Sequence, residues 1–261
     1  MQKIGIEEVQ KRLLGIAQEF DRICIKNGIP YYMAYGTMLG AIRHKGFIPW
    51  DDDMDFVVPI EYYKRLIECL DRDLSSPFRC VTHKNSRAVI HCFAKIEDRT
   101  TVMDDEALKL PIEEKLGVNI DIFPLNRYDS IDSRVKRVQC EMFLLGAAFT
   151  DSKQHKSLIR KCEKALLRLL AGGTPKYLQR RIENTSYRLT KGTKQGSIFD
   201  NRGIEPIPCD WYGDGMRYPF EGISLMGPEK YDSYLTHMYG DYLTPPPEGQ
   251  RVAHAENVFI R

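Results

Sequence analysis

Four aspartates within five positions lie in the stretch Ile48-Pro49-Trp50-Asp51-Asp52-Asp53-Met54-Asp55-Phe56-Val57-Val58. Asp53 and Asp55 are separated by Met54 and lead into an apolar run. On a strand this spacing puts both carboxylates on one face and Met54 and Phe56 on the other. Parallel carboxylates repel unless a proton or a cation sits between them. A hard divalent ion, above all Mg²⁺, suits such a pair and points to metal-assisted chemistry on a phosphate-bearing substrate. Acidic runs are more often solvated loops or helix N-termini. Here the apolar run behind the acids, the Gly36-Thr37 pair upstream and a further carboxylate downstream favour the ion. An EF-hand calcium loop is excluded. Counted from Asp51, its glycine position is Phe56 and its final glutamate position is Tyr62.

The downstream carboxylate is Asp121, in Gly117-Val118-Asn119-Ile120-Asp121-Ile122-Phe123-Pro124-Leu125. Aspartate is disfavoured in mid-strand, so its position needs a reason. Either this face of the sheet is wet, or Asp121 lies beside Asp53 and Asp55 on a neighbouring strand and completes a trio for metal ions.

The elements that must position these groups follow from periodicity. Glu7 to Asn27 carries Leu13, Leu14, Ile16, Ala17, Phe20, Ile23 and Cys24 at helical spacing and stops at Gly28. Ile29 to Tyr35 reads as a strand, Gly36-Thr37 as a turn and Met38 to Arg43 as a short helix. Asp53 to Val58 is a strand and Glu61 to Leu70 a helix. Phe78 to Thr82, Ala88 to Glu97, Thr100 to Met103 and Val118 to Phe123 read as strands. Helices are expected over Asp132 to Thr150, Gln154 to Ala171 and Thr174 to Leu189, then mixed structure with a helix over Pro228 to Met238. The fold class is α+β (mixed α/β), a mixed sheet with flanking helices and a helical subdomain. Three parts are expected: a catalytic core over 1–125, a basic helical subdomain over 126–195, and a segment over 196–261 that returns to the cleft of the core.

The chain of 261 residues is 43% hydrophobic and 28% charged, an ordinary globular profile. It has no apolar run long enough to span a bilayer and no signal or transit pattern at its start. Seven scattered cysteines without a Cys-x-x-Cys read as reduced thiols, with no zinc site. These features point to the cytoplasm, with room for peripheral contact at the inner face of the membrane. The net charge is only +2, yet Ser152 to Lys194 holds twelve Lys or Arg against Glu163 and Glu183. That segment carries +10, which leaves −8 for the rest. Lys153, Lys156, Arg160, Lys164 and Arg168 share one face of a helix, and Leu158, Ile159, Cys162, Leu166 and Leu169 another. The ordinary reading is a helix that packs its apolar face and hydrates its charges. The sharper one is peripheral docking of residues 152–194 on an anionic membrane.

Several motifs together resemble the LicD family of LicD, fukutin and fukutin-related phospho-alcohol transferases. They are Gly36-Thr37-Met38-Leu39-Gly40-Ala41-Ile42-Arg43, the block from His44 to Asp55, Asn119-Ile120-Asp121-Ile122-Phe123-Pro124, Pro219-Phe220-Glu221-Gly222 and Tyr239-Gly240-Asp241-Tyr242. His254, after a basic residue near the end, fits the same pattern. The resemblance covers nearly the whole chain in order. It implies a nucleotidyltransferase-like fold and transfer of a phospho-alcohol from a CDP-activated donor to a glycan hydroxyl. Asp53, Asp55 and Asp121 match that family's metal-binding and catalytic carboxylates. The implied cofactor is a pair of Mg²⁺ ions, with Mn²⁺ as a substitute. The zinc-binding cysteine cluster of fukutin-related protein has no counterpart here.

On this reading CDP-choline is the expected donor, and a cell-surface glycan or its lipid-linked precursor is the acceptor. Gly36 and Thr37 would offer backbone N–H groups and a hydroxyl to phosphate, although a plain tight turn is an equal alternative. Arg43 and Lys45 would clamp the diphosphate. Asp52, Lys95 and His254 complete the donor-binding candidates, although a lone strand lysine is more often a solvated edge residue. A choline cage would draw on Trp211, Tyr212, Tyr218 and Phe220, against the commoner reading of such a cluster as core. Two other functions compete. One is a nucleotidyltransferase that moves a nucleoside monophosphate onto a sugar or small molecule. The other is a non-enzymatic glycan- or nucleic-acid-binding module; no nucleic-acid partner is expected, because the basic segment lacks interleaved aromatics.

Overall fold

Gly28, with φ 59°, ends the first helix in the left-handed conformation that glycine adopts without strain, and its N–H returns to carbonyls of the last turn. The computed structural model describes residues 1–104, 110–150, 158–189, 192–198, 204–247, 249, 251 and 257–261. After a short β1 (Gln2–Lys3) comes this helix, α1 (Ile6–Asn27), followed by β2 (Tyr32–Met33), α2 (Tyr35–Arg43), β3 (Asp55–Pro59), α3 (Ile60–Asp73) and β4 (Phe78–Val81). Then follow β5 (Ala94–Asp98), β6 (Thr101–Met103), β7 (Asn119–Tyr128), α4 (Ser133–Phe149), α5 (Leu158–Leu170) and α6 (Pro175–Ser186). The remainder holds β8 (Gln195–Ser197), β9 (Ile207–Pro208), α7 (Cys209–Tyr212), β10 (Met216–Phe220), β11 (Ile223–Gly227), α8 (Tyr231–Tyr239) and β12 (Val258–Ile260).

The central sheet runs β2-β3-β7-β5-β4, with β8 and β9 extending the far half of β7. Only β3 and β7 are parallel; the other neighbours are antiparallel. The fold is therefore α+β. Met54, Phe56, Ile120 and Ile122 are fully buried in the main core, where Phe56 packs on Phe20 of α1 at 5.0 Å between ring centroids. Burial of this apolar surface is what holds the acidic strand in register.

A second, smaller core lies between α4 and α6, built from Val135, Val138, Met142, Leu145, Leu178 and Ile182. Asp132 caps α4 by accepting from the N–H groups of Arg134 and Val135. The C-terminal segment does not form a core of its own. Tyr212, Phe220, Leu225, Tyr234 and Leu235 join the main core, and β12 pairs with both β1 and β6.

Several elements differ from the periodicity reading. The strand expected over Ile29 to Tyr35 is only β2, because Ala34 already serves as the N-cap of α2. Gly36 and Thr37 are therefore inside the first turn of a helix, not a turn before it. Of the strand expected over Ala88 to Glu97, only Ala94 onward pairs, and Ala88 and Val89 pack with Val81 and Leu116 instead. β7 runs on through Pro124 to Tyr128, across the 125/126 boundary, because β8 pairs with its far end. β11 and β12 had no counterpart among the expected strands. No described helix is long and apolar enough to cross a membrane.

Candidate active site

The register of the sheet sets Asp55 opposite Asp121 on the parallel neighbour, and Asp121 opposite Lys95 on the next strand. Residues opposed across strands point to the same face, so three charged side chains form one row. Lys95 Nζ is ion-paired to Asp121 Oδ1 and also donates to Asn119 Oδ1 at 3.1 Å. It lies 5.3 Å from the centroid of Phe93. Lys95, a donor-binding candidate whose alternative was a solvated edge residue, therefore sits beside Asp121 on a central strand of the sheet.

Asp51 was not singled out by spacing, yet it lies at the centre of the acidic cluster. Burial, then the charge of Asp53 and a hydrogen bond with it, push the Asp51 carboxyl up to about 8. Burial, then Asp53 and Asp121, raise Asp55 as well, while Lys95 opposes the shift. The cluster thus carries more negative charge than its surroundings stabilise.

Two residues of α2 are fitted to this cluster. A methyl group on Gly36 would sit 2.7 Å from Asp51 Oδ2, so glycine lets that carboxylate approach the helix N-terminus without shifting. Thr37 is buried, and its hydroxyl accepts from the Asp55 N–H at 2.8 Å. Both were expected to meet phosphate. Instead Gly36 makes room for an aspartate, and Thr37 ties α2 to the first residue of β3. From α1, Gln10 Nε2 donates to the Asp51 carbonyl at 2.8 Å and fixes the loop from the other side.

Beside the acids opens a solvent-connected cleft of about 470 Å³, lined by Gly36, Arg43, Trp50, Asp51, Tyr239 and Tyr242 among others. Arg43 donates to the Tyr242 carbonyl at 2.9 Å, and burial lowers its pKa. The Arg251 guanidinium lies over the Trp50 ring at 4.8 Å. Burial raises the Tyr239 hydroxyl, with Tyr234, Asp55 and Asp51 adding to the shift. Its phenol therefore reaches the acidic cluster from α8. Trp50 and Tyr239 were missed as site residues. Asp51 could have been found, since it shares the period-two parity of Asp53 and Asp55; Tyr239 stood in the motif Tyr239-Gly240-Asp241-Tyr242 but was given no role at the site.

Other candidates fall elsewhere. Lys45 is exposed on a loop whose carbonyl accepts from the Glu221 N–H at 2.9 Å, at the β10–β11 turn. Asp52 is buried beside Asp51, and its N–H donates to that carboxylate. His254 lies outside the described residues. The four aromatics proposed as a cage do not surround a common space. Tyr212 packs on Tyr32 at 5.1 Å, Tyr218 on Tyr231 at 5.7 Å, Phe220 on Phe47 at 4.9 Å and Trp211 on His237 at 5.7 Å. Tyr212, Tyr218 and Phe220 are buried core, as their hydrophobicity requires.

The donor set of Asp51, Asp53, Asp55 and Asp121 is anionic and all-oxygen, which suits a hard divalent ion. Among the described residues no three His, Cys, Asp or Glu side chains converge as a ready ligand set. Asp51 is hydrogen-bonded to Asp53, and Asp121 is held by Lys95. The residues fit such an ion in charge and element type, and binding it would require these two contacts to reorganise. All seven cysteines are free thiols.

Residues 28–141 match the LicD/FKTN/FKRP nucleotidyltransferase domain. Over 283 aligned positions the chain is 26% identical to the lipopolysaccharide cholinephosphotransferase LicD of Haemophilus influenzae, covering 100% of both proteins. It is 27% identical to the human ribitol-5-phosphate transferase FKTN over 123 residues, 47% of this chain and 22% of that protein. An uncharacterized protein of Rickettsia prowazekii is 44% identical over 43 residues, 16% of each chain.

Proposed function

The chain carries a LicD-family nucleotidyltransferase domain over residues 28–141, and from that premise we propose that it transfers a phospho-alcohol to a glycan hydroxyl. The donor in this reading is a CDP-alcohol, with CDP-choline first, because the relative that aligns over the full chain is a cholinephosphotransferase. The observation that carries the proposal is the Asp55–Asp121 register next to Asp51 and Asp53, at the edge of a cleft large enough for a nucleotide.

In this mechanism Asp53, Asp55 and Asp121 would hold Mg²⁺, and Asp51, once deprotonated, would add to the field that draws the cation in. Bound Mg²⁺ supplies neutralisation of charge on the transferred phosphoryl group and on the departing CMP. Lys95, once its contact with Asp121 has reorganised, would contribute a positive charge beside the reacting phosphate. Arg43 and the Trp50 ring line the space for the donor. The acceptor oxygen bonds to the phosphorus that bears the alcohol, and the bond from that phosphorus to the CMP oxygen breaks. CMP leaves with the electron pair, and the hydroxyl proton passes to Asp121.

The test incubates the protein and Mg²⁺ with CDP-choline, CDP-ribitol and CDP-glycerol in parallel and measures CMP. CMP release, strongest with CDP-choline and abolished in Asp53→Asn and Asp55→Asn, is the expected result. Pyrophosphate release from a nucleoside triphosphate would favour a nucleotidyltransferase instead. Glycan binding without turnover, unchanged by Asp53→Asn, would favour a binding module.

A further inference from the structure

Helix α5 meets the rest of the protein through Leu167 and the head groups of Lys164 and Arg168, and turns Leu166, Leu169 and Leu170 outward. Lys164 Nζ donates to the Thr150 carbonyl at 2.7 Å, and Arg168 Nε donates to the Ala148 carbonyl at 3.0 Å. Both acceptors lie at the C-terminal end of α4, where helix carbonyls lack intrahelical partners and cations are favoured. The Arg168 guanidinium also lies 5.9 Å from the Phe149 ring. The two cations therefore fasten α5 to α4, with Lys164 half-buried and Arg168 reaching the Ala148 carbonyl from an otherwise exposed position.

The opposite face is left to solvent. Cys162, Ala165, Leu166 and Leu169 recur at helical spacing along it and are exposed. Leu166, Leu169 and Leu170 are 57%, 75% and 66% exposed. Tyr177, 50% exposed, continues the patch, since it packs against Gly172 just beyond the helix. An amphipathic helix of a globular protein ordinarily turns such a stripe into the core. Here Leu167 and the heads of Lys164 and Arg168 take the seat against the protein, so Leu166, Leu169 and Leu170 face away from it.

The charge around the stripe indicates what covers it. Lys176 and Arg180 are exposed on the first turns of α6, and the segment from Ser152 to Lys194 carries +10. Two copies pressed together through this face would bring like charges into contact, which opposes self-association. An anionic lipid surface offers both an apolar layer and the opposite charge. With 13 residues α5 is too short to span a bilayer, which takes roughly 20 residues, so it would lie in the plane of the interface.

We propose that α5 docks this protein on an anionic membrane surface, with Leu166, Leu169 and Leu170 at the acyl boundary and the flanking cations at the headgroups. The full chain is sedimented with vesicles of phosphatidylcholine alone or mixed with phosphatidylglycerol, and light scattering reports its oligomeric state. Binding is expected to the anionic vesicles only, to weaken with added salt, and to fall about tenfold or more in the Leu166→Ser, Leu169→Ser, Leu170→Ser triple variant. A second variant, Leu169→Trp, keeps the face apolar; its emission should shift to the blue with anionic vesicles. Equal binding to neutral vesicles, or unchanged binding of the triple serine variant, would overturn the proposal. So would a dimer that the serine variant dissolves while vesicles bind neither protein.

Discussion

Asp51→Asn is expected to make the metal-free protein more stable and less active. Folding raises the Asp51 carboxyl from 3.8 to about 8, so the folded chain holds that proton more tightly than the unfolded chain. The sign follows from linkage. Below about pH 4 both states are protonated and there is no penalty; as pH climbs toward about 8 the penalty grows, and beyond that it is constant. At 1.36 kcal/mol per pH unit, the penalty at pH 7 is at most about 4 kcal/mol. Asparagine keeps the shape that Gly36 admits and removes the charge. For a chain of this size each kcal/mol shifts the melting temperature by about 2–4 °C, so the variant should melt roughly 10 °C higher in chelator at pH 7. The assay is thermal unfolding of both proteins in EDTA across pH 4 to 8, repeated with Mg²⁺. The difference should shrink toward pH 4. In Mg²⁺ it should narrow because the wild type gains stability, while CMP release falls in the variant. Equal or lower melting of the variant at pH 7 in chelator, or a difference that does not depend on pH, would refute the claim that the acidic cluster is strained without a cation.

Other expectations concern the scaffold of the site. The buried Tyr63 hydroxyl donates to the Ile122 carbonyl at 2.6 Å and accepts from the Ala94 N–H at 2.7 Å, bridging the strands that carry Asp121 and Lys95. Tyr63→Phe leaves those backbone groups short of a partner and should cost about 2–4 kcal/mol in denaturant unfolding; a loss under about 1 kcal/mol would mean the bridge is not formed. Gly36→Ala places a methyl group 2.7 Å from Asp51 Oδ2 and should cost about 1–3 kcal/mol while lowering CMP release. Full activity in Gly36→Ala would show that Asp51 does not need its seat at α2. Gly40→Ala would put a methyl group 2.4 Å from the Gly46 carbonyl oxygen and should reduce soluble, folded yield, checked by circular dichroism.

The amino-acid sequence by itself determined the acidic strand, its buried face and most of the helices. Period two alone assigns Met54 and Phe56 to the core and Asp53 and Asp55 to the other face, because side-chain direction in a strand is a local property. Helices such as α1 and α4 were legible for the same reason, since apolar spacing and an end signal such as Gly28 are written locally. The length of a strand was not legible, because pairing depends on distant partners: β7 continues to Tyr128 only because β8 is there to bond it. Tertiary structure alone set Asp121 opposite Asp55, brought Lys95 against Asp121, and carried Tyr239 from the far end of the chain to the acids. It also dispersed the aromatics around Trp211 into separate packing pairs, although they are neighbours in sequence. In α5 it left Leu166, Leu169 and Leu170 of the amphipathic pattern exposed and took only Leu167 into the core. Periodicity identifies two faces of a helix, but which face meets the protein depends on what the neighbouring element offers, and here the carbonyls at the end of α4 accept from Lys164 and Arg168 beside Leu167.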